Sequence, residues 1–208
     1  MKRGYRHGNL RSALVASGLE LLDAQGLEAV TIRAVARAAG VSHAAPVNHF
    51  ADRRALLTAI ATDCLRELMQ GIEAGQQTAV TARDRIFALV DAFHAYGLAN
   101  PNRYRLMWRQ DMLDAADPAL KSLTDGLFEL VAASMQPFAD PPGISAMSRI
   151  VAICSAIHGY VLFRIDGAFE GHEDEKSGEP RHRAVLEALL PSQAAGPADP
   201  SDRMVDSG

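Results

Sequence analysis

Cysteine is nearly absent from this chain: Cys64 and Cys154 are the two in 208 residues. They stand far apart and lack metal-ligand spacing, which excludes a disulfide-built scaffold and a cysteine zinc site. Two thiols read as buried packing residues suit a reducing, cytoplasmic setting. Aromatic residues are sparse at 6%, with a single tryptophan, Trp108. No uncharged apolar run approaches the roughly 18 residues of a membrane span. The longest, Ile150 to Leu162, is followed by Arg164 and Asp166, so no membrane partner is expected. The basic N-terminus leads into no apolar stretch, and a secretory signal is not expected either. There is no glycine-rich phosphate loop and no nucleophile elbow. His, Asp and Glu do not recur at metal-ligand spacing on one helix face. The run His172-Glu173-Asp174-Glu175 reads as a solvated loop. An enzyme, a cofactor and a metal site are therefore not expected.

Helical spacing of apolar residues holds nearly throughout, and strand-like alternation does not, so the chain reads as all-α with about nine helices. A first helix runs from an Asn9 cap to Gly26, with Leu10, Leu14, Leu21 and Leu22 on one face. In Thr31–Phe50, Thr31 caps a short helix with Ile32, Val35 and Ala36 inward. Ala39-Gly40-Val41 makes the turn, and Ser42 caps a second helix beginning His43-Ala44-Ala45. That is a helix-turn-helix whose second helix fits a DNA major groove. Asp52 caps a helix to about Glu73. Further helices are expected at about 82–98, 100–113, 117–135, 144–169 and 180–190, the second and third opened by Asn100-Pro101 and Asp117-Pro118. The expected organisation is a DNA-binding domain over 1–57, a second helical domain over 58–190, and a disordered tail over 191–208.

Charge divides the same way. Residues 1–62 carry eight Lys/Arg against four Asp/Glu, a surplus of +4, while the remainder carries −8. A basic head on an acidic body fits a polyanionic partner for the head alone.

Residues 10–60 resemble the DNA-binding domain of the tetracycline-repressor (TetR) family. The resemblance rests on Gly26-Leu27, Thr31-Ile32, Ala39-Gly40-Val41-Ser42 and His49-Phe50 followed by Ala51 to Leu57. Tyr5 to Arg11 also resembles the start of one branch of that family. Beyond the head, the likeness is one of helical layout and length. The resemblance implies a homodimer that binds double-stranded operator DNA and answers to a small-molecule effector. His43 can donate to a purine edge, and Ala44 and Ala45 can contact thymine methyls. Ser42 begins the same helix, Arg33 and the arm Lys2-Arg3-Tyr5-Arg6 add to the readout, and phosphate contacts fall to Thr31, Asn48, His49 and Arg53. Val47 stands where the family usually has a phosphate-reaching tyrosine.

In the second domain the resemblance implies an effector cavity. Its candidate lining is Phe93, Tyr96, Trp108, Met112 and His158, picked from helical stripes of a kind that is more often plain core. His158, beside Gly159, reads either as a ligand contact or as a satisfied core histidine. The dimer is expected to form from the helices at about 144–169 and 180–190 of both chains, with Val161 at the interface. The alternative is a DNA-binding regulator with no small-molecule pocket, controlled by a protein partner.

Overall fold

The computed structural model describes residues 10–138, 142–169 and 171–190. The basic arm, Asn9 and the tail from 191 lie outside the described residues. The chain is all-α: α1 Leu10–Gln25, α2 Ile32–Ala38, α3 Arg53–Gln77, α4 Ala82–Ala99, α5 Pro101–Met107, α6 Pro118–Met135, α7 Ala146–Ile165 and α8 Arg181–Glu187. Two short 3-10 turns, Leu27–Ala29 and Pro46–Asn48, bring the helical elements among the described residues to ten.

Helix starts follow local chemistry. The hydroxyl of Thr31 accepts from Ala34 N at 3.1 Å, and Asp52 accepts from Ala55 N at 2.8 Å. Thr81 and Asp84 form a reciprocal capping box at the head of α4. Asp117 accepts from Ala119 N and Leu120 N ahead of Pro118.

Three elements depart from the sequence reading. The second helix of the helix-turn-helix is not a regular α-helix: residues 43–45 form turns and Pro46–Asn48 a 3-10 turn. Pro46 has no N–H to give, and its ring crowds the carbonyl four residues back, so an α-helix opened at Ser42 cannot run through it. α5 stops at Met107 rather than near Leu113, with turns over 109–113. α7 is apolar enough, by length and composition, to cross a membrane, with a mean hydropathy of 1.5 over its best window. That window continues past the residues where the sequence reading stopped. Only 28% of it is buried within the chain, so α7 is an apolar helix left largely open on one side.

One hydrophobic core runs from Leu14 to Leu190 through both halves. α3 carries it across the expected boundary at 57/58, with Leu56, Leu57, Ile60, Cys64, Leu68 and Ile72 all buried. Arg149 of α7 is buried, and its guanidinium donates to the carbonyls of Met135 at 3.0 Å and Phe138 at 2.8 Å. A cation there complements the exposed carbonyls at the end of α6.

α8 docks on α4 through Asp91, which accepts from His182 Nε2 at 2.8 Å and from Arg183 Nε at 2.9 Å. Burial raises the Asp91 pKa, but these donors outweigh it and hold it at about 2. His94 stacks on His182 at 4.0 Å and faces Tyr160 at 6.0 Å. Burial, then the charges of His182 and Arg164, press its pKa from 6.5 to about 4. The folded state thus keeps His94 neutral where the unfolded chain protonates it. Stability is full above the unfolded value of 6.5 and falls as pH drops toward about 4; Asp91 adds a second loss from 3.8 toward about 2. Melting temperature measured against pH should fall through the first window. His94→Gln should flatten that fall, and an unchanged slope would show that His94 does not set it.

Candidate DNA-binding head and effector cavity

The turn and the segment after it are exposed on both sides of a buried proline. Gly40 turns the chain at φ +68°, as its position requires. Ser42, His43 and Ala44 are exposed and Ala45 is half-buried; after buried Pro46, Val47, Asn48 and His49 are exposed again, ahead of buried Phe50. Pro46 and Phe50 are thus the anchors that pin this segment to the head, and Arg11 of α1 lies 5.4 Å over the Phe50 ring. Thr31 and Arg33 are exposed at the start of α2. Thr31 also serves as the cap of α2, so its hydroxyl already has a partner. Val47 is 62% exposed, which leaves room beside it for a longer side chain.

Arg53 is placed differently from the other expected phosphate ligands. Its Nε donates to Val30 O and its Nη2 to Leu27 O, both at 2.7 Å, with Glu28 at 3.8 Å. The guanidinium thereby braces the turn between α1 and α2. The pairing of Arg53 with carbonyls more than twenty residues away has no local sequence signal.

The cavity lies among α4, α6 and α7 and measures about 320 Å³. Phe93, Trp108 and His158 line it together. The aromatic wall is compact. Trp108 lies 6.3 Å from the Phe93 ring and 5.0 Å from His158, and Tyr104 packs behind at 6.0 Å from Trp108. α6 supplies a wall the sequence reading had not singled out, with Thr124, Leu127, Phe128 and Val131. Their three- and four-residue spacing is the signal that could have found them. From α7 come Val151, Cys154 and Ile157. Phe128 and Val151 are both substantially exposed, so the cavity meets solvent between α6 and α7.

Two expected lining residues stand elsewhere. Tyr96 faces the polar groove between α3 and α4, where its hydroxyl donates to Glu67 at 3.3 Å. Three residues fall about 60° short of a full turn, so Tyr96 sits to one side of Phe93 on α4, toward α3. Met112 packs on the core outside the cavity lining. The stripe that joined it to Trp108 required one continuous helix, and α5 ends at Met107, before either residue.

Behind the wall, Tyr104 is fully buried and its hydroxyl meets His158 Nδ1 at 3.1 Å. Burial raises the Tyr104 pKa and lowers that of His158. The neighbouring residues of α5 point the other way, into the head. Asn102 Nδ2 donates to Leu22 O at 3.0 Å, and Arg103 forks between Asp23 Oδ1 at 2.9 Å and Glu67 Oε2 at 2.9 Å. Arg54 Nη2 donates to Leu113 O at 2.5 Å, and Asp114 N to Thr58 Oγ1 at 2.9 Å. α1 and α3 are thus tied by side chains to the segment that holds the aromatic wall.

Two family models match this chain. Residues 14–60 match that of the bacterial regulatory proteins of the tetR family, and residues 86–190 that of the tetracyclin repressor-like C-terminal domain. An uncharacterised HTH-type transcriptional regulator of Mycobacterium tuberculosis is 26% identical over 164 residues, covering 77% of this chain and 72% of its own. The HTH-type transcriptional activator FasR of Mycolicibacterium smegmatis is 26% identical over 178 residues, covering 79% and 76%. Among solved structures, a protein of unknown function from Rhodococcus sp. RHA1 superposes with a TM-score of 0.71 at 28% identity, covering 90% of this chain and 94% of that one.

Proposed function

The chain belongs to the TetR family of DNA-binding transcriptional regulators, not enzymes, and from that premise we propose that it is a homodimeric, cytoplasmic repressor released from its operator by a small molecule. In this reading residues 1–57 hold the DNA and residues 58–190 bind the effector and the second copy. Ser42, His43, Ala44 and Ala45 face base edges, with Arg33 beside them, and Thr31, Asn48 and His49 face phosphates. Arg53 contributes through the turn it braces. Phe93, Trp108 and His158 line the effector site. Repression requires only that the dimer occupy its operator, whereas activation would require a further contact with the transcription machinery. FasR of M. smegmatis is named an activator, so the sign has to be read from transcription itself.

The observation that carries this reading is the position of α5. Tyr104 and the following Trp108 back or line the cavity, while Asn102 and Arg103 of the same short helix grip α1 and α3. A ligand that binds one arrangement of the cavity better than another shifts α5, and with it the separation of the two heads.

Selection from randomised duplex DNA tests the DNA half. The expected product is two inverted half-sites about one helical turn apart, bound with steep salt dependence. His43→Ala should relax the preference at one position of each half-site, at about 1–3 kcal/mol for a good base contact. A single unrepeated half-site would overturn the dimeric reading, and an unaltered motif would remove His43 from base readout. Reporter transcription from a promoter carrying the selected site decides repression against activation.

A further inference from the structure

The cavity is free of charge. No Lys, Arg, Asp or Glu side chain lines it, and its two titratable residues, Cys154 and His158, are held neutral by burial, which raises the thiol pKa and lowers that of the imidazole. An ionised ligand entering here would leave water without finding a counter-charge, a loss that apolar contact does not repay.

His158 nevertheless offers one directed polar group. Its Nδ1 is engaged by the hydroxyl of Tyr104 at 3.1 Å, and the other side chain that hydroxyl meets, Trp108, can only donate to it. The phenol proton needs an acceptor, and Nδ1 is the one present. A neutral imidazole that accepts at Nδ1 carries its proton on Nε2. Nε2 has no hydrogen-bond partner among the described residues, and it is not shut away like the buried, unpartnered nitrogens of Trp108 and His94. His158 lines this cavity.

We propose that the effector is an uncharged, largely apolar molecule whose hydrogen-bond acceptor is taken by Nε2–H of His158, with Tyr104 as the positioning residue behind it. This rests on the reading of the cavity as the effector site. Tyr104 fixes the tautomer, His158 reads the acceptor, and Phe93, Leu127 and Val131 supply the apolar contact.

Three probes of similar chain length separate the possibilities: methyl decanoate (uncharged, with an acceptor), decanoate (ionised) and undecane (no acceptor). Each is titrated at neutral pH into the full chain with Trp108 emission as the readout, since that ring touches His158 at 5.0 Å. The ester should bind at least about tenfold more tightly than decanoate. His158→Phe should weaken the ester by about tenfold while leaving undecane unchanged, and Tyr104→Phe should weaken the ester alone by a smaller factor. A purely structural perturbation would move ester and alkane together. Should His158→Phe not fold, Tyr104→Phe, which removes one hydroxyl, carries the test. Decanoate binding as tightly as the ester, or an ester affinity indifferent to both variants, overturns the inference and leaves the effector site standing. Emission unmoved by all three probes overturns both.

Discussion

Replacing Phe163 with glutamate is expected to split the dimer and to weaken operator binding by about 10²- to 10⁴-fold, the advantage that tethering a second binding module typically confers. The expectation begins with α7. Its buried side carries Arg149, Ile150, Ile153, Ile157, Tyr160 and Val161. On the opposite side, at three- and four-residue intervals, stand Ser148, Ala152, Ala156, Gly159 and Phe163. A Cβ built on Gly159 would meet nothing within 4 Å, and Phe163 is 53% exposed. An apolar stripe of small residues ending in an open phenylalanine is costly in water and well shaped for a second helix at close range. Phe169, packed edge-on against Phe163 at 5.3 Å and itself exposed, extends it. Two copies meeting across this face present two heads to one palindrome, and a glutamate buried there without a partner opposes the meeting. Light scattering on the full chain, paired with anisotropy on the selected duplex, checks it. A wild type that is monomeric at micromolar concentration, or a Phe163→Glu chain that stays dimeric with full affinity, would be the contrary result.

The same helix shows where sequence reading succeeds and where it stops. That α7 is long and apolar follows from residues near one another in the chain. Which of its faces is inward does not. Val161 reads as an interface position in the sequence, yet it is 1% exposed and packs on Gly97, some sixty residues earlier. Phe163, two positions on, faces outward. The caps at Thr31, Asp52 and Asp117 are legible because a cap is closed within three residues. The turn over 43–48 was misread as a helix because composition and spacing favoured one, while a single proline decided against it. Of the five expected lining residues, Phe93, Trp108 and His158 meet because three helices converge. Met112 depended on a helix that ends at Met107, and Tyr96 on sharing a face with Phe93, from which three residues set it about 60° aside. Arg53 and Arg103 were the least legible. A guanidinium on a helix face has the same local signature whether it waits for a phosphate or binds a distant carbonyl or carboxylate.

Gly97→Ala is expected to destabilise the fold by about 2 kcal/mol and to lower the melting temperature by about 4–8 °C. In an isolated helix the change would be favourable by about 1 kcal/mol, because alanine has the higher helix propensity. Here the added Cβ would lie 2.3 Å from Val161 Cγ1 and 3.3 Å from Tyr104 Cδ2. The first distance is far inside contact. Val161 is β-branched on a helix and has essentially one rotamer available, so it cannot swing aside, and α4 and α7 have to part. The propensity gain is outweighed. If the crossing of α4 and α7 is what the glycine permits, then removing the methyls on the other side should relieve the strain. Val161→Ala alone should cost about 0.5–2 kcal/mol through the space it leaves. The double variant Gly97→Ala/Val161→Ala should be more stable than the sum of the two losses by about 1–3 kcal/mol, since each change accommodates the other. Additive losses in denaturant unfolding would show that the two residues are not in contact. The functional consequence follows from the second distance. Tyr104 is the ring that holds His158, so a Gly97→Ala chain that still folds should lose part of its preference for an acceptor-bearing ligand, and the double variant, which retains the Cβ against Tyr104, should regain stability without regaining that preference in full.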